Sequence, residues 1–532
     1  MNQKKYFGVM LDMSRNAVMK IEQLEKFVDT ISAFGYNMIQ LYTEDTYEVN
    51  KEPYFGYLRG RYTKEELKKL DIYCQKKGIE LIPCVQTLAH LGSIFRWKNY
   101  NKINDVNDIL LAKDQKTYQL IDNIFATLRE CFSSDNVNIG MDEAHMLGLG
   151  KYLDMHGFSN RFDILKNHLQ KVIEIASKYN FKPMMWSDMF FRLANHGEYY
   201  GTDVKITDDI KATAPKEVSL VYWDYYHQKK SIYNEMIKSH QQFDNNIWFA
   251  GGAWSWVGFA PGNGYSLKTM KPAMQACRQN DINNIFITLW GDNGKECSYF
   301  SLLPALFAIK QIYDGNESML SIKEKFKEIT GEDYDWMCAL DLPNLVNVPS
   351  NPCKHMLYSD PFNGFLDTTV KEEVNKEYKK TSRRLMRYSK DSKYGYIFES
   401  LGKLCDLLSV KYDLGWRTRK LYQQKNIEGL KELISDYKKA EIKLEKFYIA
   451  FKNLWFLENK PHGFDVHDIR LGGLSRRLRS CRERLELFTN GEINDIPELE
   501  EQLLDFFGQE EEYSKLTPCF NDWIKNSTVN VL

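Results

Sequence analysis

Two adjacent carboxylates, Asp142 and Glu143, stand in the segment NIGMDEAH, where a run of β-forming residues gives way to polar ones. Because successive side chains of an extended strand point in opposite directions, the two carboxylates face different surroundings. We therefore expect the two carboxylates to have different roles. By itself the pair predicts acid–base chemistry and no particular substrate.

The pair follows the fourth of eight short apolar runs rich in β-formers, which alternate with stretches of helical period. The runs are YFGVML, NMIQLY, IELIPCV, NVNIGM, KPMMW, VSLVYW, NIWFAGG and NIFITLW, beginning near residues 6, 37, 79, 136, 182, 218, 246 and 284. Alternating strands and helices are typical of a parallel sheet, and eight such units close most simply as a barrel. We predict an α/β fold with a (β/α)8 TIM barrel over residues 1–315.

All eight strand endings carry polar or aromatic residues, and the carboxyl ends of barrel strands are where active sites lie. These endings are Asp12–Arg15, Thr43–Asp45, Gln86–His90, Asp142–His145, Trp186–Asp188, Trp223–Tyr225, Trp254–Trp256 and Trp290–Asp292. A purely structural barrel does not need Trp, Asp, Glu, His and Arg to accumulate at one rim. The pattern therefore favours a catalytic barrel.

Beyond about residue 315 the strand pattern fades, and charged segments of helical period such as IEGLKELISDYKKAEIKLEKFYIAF dominate. We predict a mostly α-helical C-terminal domain over residues 316–532. The proline-rich stretch at 341–353 is interpreted as a linker or docking loop.

The composition excludes some classes of binding partner and indicates the cellular compartment. The 71 basic and 72 acidic residues nearly cancel, so we expect no nucleic-acid or membrane partner. The amino terminus lacks the pattern of a signal peptide, and the ten cysteines are scattered without CxxC pairs, so we expect a cytoplasmic protein. Without HExxH or comparable spacing we expect no metal and no cofactor.

Together these motifs resemble glycoside hydrolase family 20, the exo-β-N-acetylhexosaminidases. The residues that carry the resemblance, in the family's order over about 6–315, are LDMSRN, TED, QTLAH, GMDE and WGDN. The chain is most similar to bacterial members without a secretion signal that carry a helical C-terminal domain. The resemblance implies release of terminal β-linked GlcNAc from oligosaccharides or glycoconjugates, with GalNAc left open.

The family resemblance also implies a mechanism in which no enzyme nucleophile attacks the sugar. The substrate's acetamido oxygen attacks C1, giving an oxazoline intermediate and a retained configuration. Glu143 would protonate the departing oxygen and later deprotonate water, while Asp142 would accept a hydrogen bond from the acetamide N–H.

Further residues match family positions that hold the terminal sugar. Arg15 matches the arginine that bonds O3 and O4, with a salt bridge to Asp12 or Asp45 as the alternative. Asp292 matches a glutamate that reads O4 and O6, but it is one methylene shorter, and Glu296 could substitute. The remaining substrate-binding candidates are Asp45 and His90 beside the general acid, and the rim residues Trp186, Trp223, Trp254 and Trp290.

The resemblance leaves several points open. The family's acetamide-carbonyl donor, a tyrosine after the seventh strand, is missing, so either Tyr225 or Tyr222 takes its task or the task is unfilled. Met141 stands directly before Asp142, at a position where the family frequently has a glycine. Two alternative functions are a non-catalytic carbohydrate-binding or sensing barrel and a retaining β-glycosidase with an enzyme nucleophile. The candidate oligomeric state is a homodimer.

Overall fold

The computed structural model describes residues 4–201, 204–346, 348–512 and 516–526. Within them, eight parallel strands form a closed barrel in chain order, which confirms the predicted fold. The strands are β1 Tyr6–Asp12, β2 Met38–Thr43, β3 Glu80–Val85, β4 Asn136–Asn138, β5 Lys182–Trp186, β6 Ser219–Trp223, β7 Ile247–Gly252 and β8 Asn284–Leu289.

Helices connect the strands and cover the sheet with their apolar faces. In the first helix, Ile21, Leu24, Phe27, Val28 and Ile31 form the buried stripe that the helical period predicts. The helices up to residue 330 are α1 Ile21–Ala33, α2 Lys64–Lys76, α3 Gln115–Cys131, α4 Lys151–His156, α5 Arg161–Lys178, α6 Asp188–Ala194, α7 Asp208–Lys211, α8 Lys230–His240, α9 Asn263–Gln279, α10 Leu303–Tyr313 and α11 Met319–Thr330.

The interior of the barrel is filled by alternate residues of each strand. Met38 and Tyr42 of β2 point inward, as do Ile82 and Cys84 of β3. The other buried members of this core are Met10, Met184, Trp186, Val221, Trp248, Ala250 and Phe286. Because side chains alternate with a period of two, the next inward positions beyond these strands are Glu44 and Gln86.

The described residues divide into two compact units. The barrel unit comprises Met1–Ala253, Ser266–Trp290 and Ala305–Lys325, and the second unit comprises Trp254–Tyr265, Gly291–Pro304 and Phe326–Leu532. Two segments that follow β7 and β8 thus belong to the second unit.

The second unit is mostly helical, as predicted for the C-terminal part. Its helices are α12 Tyr334–Cys338, α13 Pro352–Tyr358, α14 Val374–Tyr388, α15 Gly395–Lys411, α16 Leu414–Gln423, α17 Ile427–Glu458, α18 Phe464–Thr489 and α19 Pro497–Glu500. Helix α14 packs on α15, α15 on α17, and α17 on α18. No helix among the described residues has the length and apolar character needed to cross a membrane.

Candidate active site

The loop after β4 turns sharply and separates the two carboxylates. Gly140, Met141 and Glu143 have positive φ angles of 72°, 69° and 52°. An added Cβ at Gly140 would lie 2.0 Å from Oε1 of Gln86, so only glycine fits there. Left-handed backbone at two non-glycine residues costs energy, and such strain collects at functional sites. The turn leaves the Asp142 side chain 14% exposed and that of Glu143 48% exposed.

Asp142 is held from two sides by residues that follow β3. Gln86 Nε2 donates to Asp142 Oδ1 at 2.9 Å, and Gln86 Oε1 accepts the Met141 N–H at 3.2 Å. Gln86 Nε2 also donates to the Tyr42 hydroxyl oxygen at 3.1 Å. On the other side, His90 Nε2 lies 3.3 Å from Asp142 Oδ2. The orientation of Asp142 is therefore fixed before any substrate binds.

Asp142 and His90 stabilise each other's charged forms. Burial opposes the charge on His90, but Asp142 and then Glu44 outweigh it and raise the pKa of His90 from 6.5 to about 9. Burial likewise favours the neutral form of Asp142, but the His90 cation and the Gln86 amide outweigh it and lower the pKa of Asp142. At neutral pH the site therefore holds an anionic Asp142 beside a cationic His90.

Glu143 is anchored through its backbone and not through its carboxylate. Its N–H donates to Asp188 Oδ2 at 3.2 Å, while His90 Nε2 lies 3.8 Å from its Oε2. Asp188 is fully buried, and burial followed by the Asp142 charge raises the pKa of Asp188 to about 7. The Glu143 carboxyl is thus free to reach solvent from a fixed backbone.

Arg15 is fixed by two carboxylates at the ends of β1 and β2. Its Nη2 lies 3.2 Å from Glu44 Oε1, and its Nε lies 3.7 Å from Asp12 Oδ2. Asp12 in turn accepts hydrogen bonds from the N–H and hydroxyl of Ser14. The guanidinium stays partly exposed, at 32% of its side chain, so it can still donate to a ligand.

Glu44 occupies the place that the sequence assigned to Asp45. Glu44 is buried beside Arg15 and His90, and burial raises its pKa to about 7 against the opposing effect of those two cations. Asp45 instead pairs with Arg59, its Oδ1 lying 3.2 Å from the guanidinium Nε. Glu44, and not Asp45, is therefore the acidic residue of this turn that pairs with Arg15, and a role for Asp45 beside the general acid stays a prediction.

Three of the predicted tryptophans and one tyrosine lie together at the same end of the barrel. The rings of Trp186 and Trp290 are 6.0 Å apart, and Trp223 stacks on Tyr225 at 5.5 Å. The Tyr225 hydroxyl hydrogen-bonds the side chains of Trp290 and Thr288, and burial raises the pKa of Tyr225 well above its ordinary value. Tyr225 therefore stays protonated and able to donate.

Tyr222 does not share this position. Its hydroxyl donates to Asp224 Oδ2 at 2.8 Å, and its ring packs against His240 and Phe249 on the outer face of β6. Of the two tyrosines that the sequence left open, Tyr225 is the one that meets the aromatic group.

The remaining candidates belong to the second unit. Trp254 is fully buried and stacks on Trp256 at 4.3 Å, with Tyr265 against its edge at 4.9 Å, so its packing is that of a core residue and does not support a sugar-binding role. Asp292 is half-buried in a short turn over 292–294, and its role stays a prediction.

The surroundings of Glu296 do not support the expectation that it substitutes for Asp292. Its side chain is 1% exposed, and the Lys354 Nζ lies 2.8 Å from its Oε1. Its charge is therefore neutralised inside the second unit. Among the described residues, no group of three or more His, Cys, Asp or Glu side chains is arranged to hold a metal ion.

Two models of known protein families match the chain. The model described as "Glycosyl hydrolase family 20, catalytic domain" matches residues 5–283. The model described as "Glycoside Hydrolase 20C C-terminal domain" matches residues 336–517.

Two curated relatives are each named "Beta-hexosaminidase". The one from Akkermansia muciniphila is 25% identical over 168 residues, which are 26% of this chain and 34% of the relative. The one from Emericella nidulans is 23% identical over 166 residues, which are 26% of this chain and 27% of the relative. The matched region spans about a third or less of the length of these relatives.

The chain is also similar to parts of solved structures. A β-N-acetylhexosaminidase from Bacteroides fragilis is 17% identical with a TM-score of 0.47, over 61% of this chain and 70% of its own. A chitobiase from Flavobacterium johnsoniae is 13% identical with a TM-score of 0.46, over 93% of this chain and 74% of its own.

Proposed function

The chain belongs to glycosyl hydrolase family 20, and on that premise we propose that it is a retaining exo-β-N-acetylhexosaminidase. Its substrates are oligosaccharides or glycoconjugates that end in β-linked GlcNAc, with GalNAc as a further candidate. The observation that carries this proposal is the contrast within the adjacent pair: Asp142 is fixed and anionic, whereas Glu143 is half-exposed. The pair thus offers one charge-stabilising group and one proton-transfer group.

Asp142 acts on the substrate's acetamide. Its carboxylate accepts the acetamide N–H, which orients the carbonyl oxygen toward C1 and stabilises the positive charge that develops as the oxazoline ring forms. Because Gln86 and His90 already fix this carboxylate, it needs no reorganisation during the reaction. The Tyr225 hydroxyl donates to the acetamide carbonyl oxygen, beneath the apolar surface of Trp186 and Trp290.

Glu143 transfers protons at the opposite side of C1. It protonates the glycosidic oxygen as the bond to C1 breaks, and as a carboxylate it then deprotonates the water that opens the oxazoline. Two inversions at C1 retain the β configuration. Arg15 binds the hydroxyls of the terminal sugar, since its guanidinium is fixed by Glu44 and Asp12 yet partly exposed.

The alternative mechanism, in which an enzyme carboxylate attacks C1, is less well supported. Such an enzyme needs a second carboxylate about 5 Å from the acid, free to attack C1. Asp188, which accepts the Glu143 N–H, is fully buried, and Asp142 is committed to Gln86 and His90. A sensor without turnover would not need a strained loop that presents Glu143 to solvent.

The test compares Glu143→Gln with the unchanged protein on two N-acetylglucosaminides. With a methyl aglycone, which needs protonation to leave, we expect kcat to fall about 10²–10⁴-fold, and with a nitrophenyl aglycone the fall should be much smaller. Near-native turnover of the methyl glycoside would overturn the role of Glu143. Cleavage of a plain β-glucoside as fast as the N-acetylglucosaminide would overturn substrate assistance.

A further inference from the structure

One face of helix α18 carries opposite charges that are arranged symmetrically about a glycine. Gly472 is the centre, with Asp468 four residues before it and Arg476 four residues after it. Asp465 lies seven residues before the same glycine, and Arg479 lies seven residues after it. Steps of three and four residues keep all five on one stripe of the helix, and all five are exposed. This stripe is therefore negative on one side of Gly472 and positive on the other.

The charges of this stripe are only partly used within the chain. In the described part of the chain, the ion pairs do not include Asp465, Asp468 or Arg476. The two aspartates accept hydrogen bonds from uncharged donors, a backbone N–H at 3.0 Å and a tyrosine hydroxyl at 2.7 Å. Arg479 Nε lies 3.3 Å from Glu441 Oε2, but half of the Arg479 side chain stays exposed. The stripe can therefore still form ion pairs with a partner.

Two glycines lie at the centre of the stripe, although packing within the chain does not require them. Gly472 and Gly473 are interior residues of α18, where glycine is unfavourable for helix formation. An added Cβ would have nothing within 4 Å at either position. The absence of side chains here is explained if another backbone approaches the helix closely at this point.

Large apolar side chains are exposed on the same pair of helices. Ile469, on the turn of α18 before the glycines, is 75% exposed. Helix α17 packs on α18, and its exposed residues Ile442, Ile449 and Phe456 follow one another at intervals of seven, so they share one face of α17. Exposed apolar side chains that lie together usually mark an interaction surface.

We propose that two copies of this chain form a dimer through the stripe, with their α18 helices antiparallel about a two-fold axis at Gly472. In such a contact, a residue before the axis meets the residue equally far behind the axis in the other copy. Asp465 then lies opposite Arg479 of the second copy, and Asp468 lies opposite Arg476 of the second copy. Each dimer thus contains two copies of both pairs of opposite charge.

Self-association explains features that a different partner leaves unexplained. Charges that reverse about a single residue are required only where a surface meets its own copy. The glycines leave room where the two helices cross, and Ile469 is removed from water against the glycine backbone of the other helix. This inference goes beyond the proposed function, because the dimer forms whether or not the chain is active.

The test is the mass of the full chain in solution, measured by sedimentation equilibrium at several concentrations. At about 10 μM the unchanged chain should sediment at twice 62.6 kDa. Gly472→Leu places a side chain at the two-fold axis and should raise the Kd of the dimer about 10²-fold. Because leucine favours a helix more than glycine and has open space here, the monomer of this variant should need more denaturant to unfold. Weaker association of a more stable monomer separates an interface from a role in folding.

Charge reversal tests the pairing of the two helices. Arg476→Asp brings like charges together at Asp468 of the other copy and should raise the Kd about tenfold. The double variant Arg476→Asp with Asp468→Arg should recover most of the affinity, because the pair forms again with reversed signs. Arg383→Asp is the matched control, since it reverses an exposed arginine of α14 and should leave the Kd unchanged.

Three results would overturn the proposal. A chain that is still monomeric at about 100 μM has no such dimer. A dimer with an unchanged Kd in Gly472→Leu does not form through α18. Equal losses of affinity in Arg476→Asp and Arg383→Asp would show an effect of net charge and not of the pair across the axis.

Discussion

His90 Nε2 lies 3.3 Å from Asp142 Oδ2, which joins the ending of β3 to that of β4 through a pair of opposite charges. His90 also has a positive φ of 58°, like Met141 and Glu143 in the adjacent loop. Its backbone N–H donates to Asp108 Oδ2 at 3.1 Å, which helps to hold that conformation. Both endings are therefore strained, and the ion pair fixes them relative to each other.

This ion pair predicts an unusual titration of His90. Its imidazole should titrate near pH 9 because Asp142 and Glu44 outweigh the effect of burial on its pKa. In Asp142→Asn the larger attraction is lost, and the pKa of His90 should fall toward its ordinary value. The measurement is an NMR titration of the histidine ring protons, with His90→Gln to identify the signal. A pKa near 6.5 in the unchanged protein would contradict the ion pair.

The same shift has a consequence for stability. Because the pKa of folded His90 is raised above its ordinary value, the stabilisation is complete below about pH 6.5 and is lost as the pH rises through about 9. A shift of that size corresponds to the order of 3 kcal/mol. The difference in unfolding free energy between the unchanged protein and His90→Gln should therefore shrink between pH 6.5 and 9, as followed by denaturant titration.

Glu44 should determine how substrate binding depends on pH. Above about pH 7 it is a carboxylate that pairs with Arg15, and below that pH it is neutral, so KM should rise as the pH falls through 7. In Glu44→Gln the inflection should disappear and KM should be about tenfold higher, the loss of one charge-assisted contact. Asp45→Asn is the matched control, since Asp45 pairs with Arg59 and should leave the inflection in place. Inflections of equal size in both variants would exclude Glu44.

The barrel and the adjacent pair could be predicted because both depend on local patterns. Apolar runs with a period of two and helices with a period near 3.6 are visible in the sequence without any knowledge of packing. Glu44 could have been found in the same way, because the inward positions Met38 and Tyr42 lead to it in steps of two. The family's acidic turn directed attention to Asp45 instead.

Other features depend on tertiary packing that no local pattern reveals. Asp188 opens helix α6, and only the folded chain brings its carboxylate to the Glu143 N–H. Trp254 and Glu296 follow β7 and β8 as active-site residues would, but the chain there enters the second unit. The partner of Glu296 is Lys354, about sixty residues away in sequence, which is why its burial could not be foreseen.

Gly140→Ala tests whether the turn before the pair must be tight. The added methyl would lie 2.0 Å from Oε1 of Gln86, and Gln86 is the residue whose Nε2 fixes Asp142. Displacing Gln86 should lower kcat about 10²-fold, because a shift near 1 Å in an orienting group can cost that much. Gly157→Ala is the control, since Gly157 has nearly the same φ of 73° and nothing within 4 Å of an added Cβ. It should cost about 1–2 kcal/mol of stability and leave kcat unchanged. Equal kcat in both variants would show that Gln86 yields without moving Asp142.

Lys354→Met tests the internal role that the structure gives to Glu296. Burial raises the pKa of Glu296, but Lys354, His467 and Arg470 outweigh it and lower the pKa, so Glu296 is charged at neutral pH. Removing Lys354 leaves this buried charge poorly compensated, and the free energy of unfolding should fall by about 3–5 kcal/mol in a denaturant titration. The double variant Lys354→Met with Glu296→Gln should recover much of that loss, because it removes both charges.

An exposed ion pair of the same unit supplies the comparison for this last prediction. Lys376 and Glu373 are each 71% exposed, so Lys376→Met should change the unfolding free energy by less than about 1 kcal/mol.

If the double variant Lys354→Met with Glu296→Gln also keeps the KM for N-acetylglucosaminides while Asp292→Asn raises it, the sugar hydroxyls are bound by Asp292 and not by Glu296. A higher KM in the double variant at unchanged stability would return Glu296 to the binding site, because a purely internal ion pair affects folding and not the affinity for substrate.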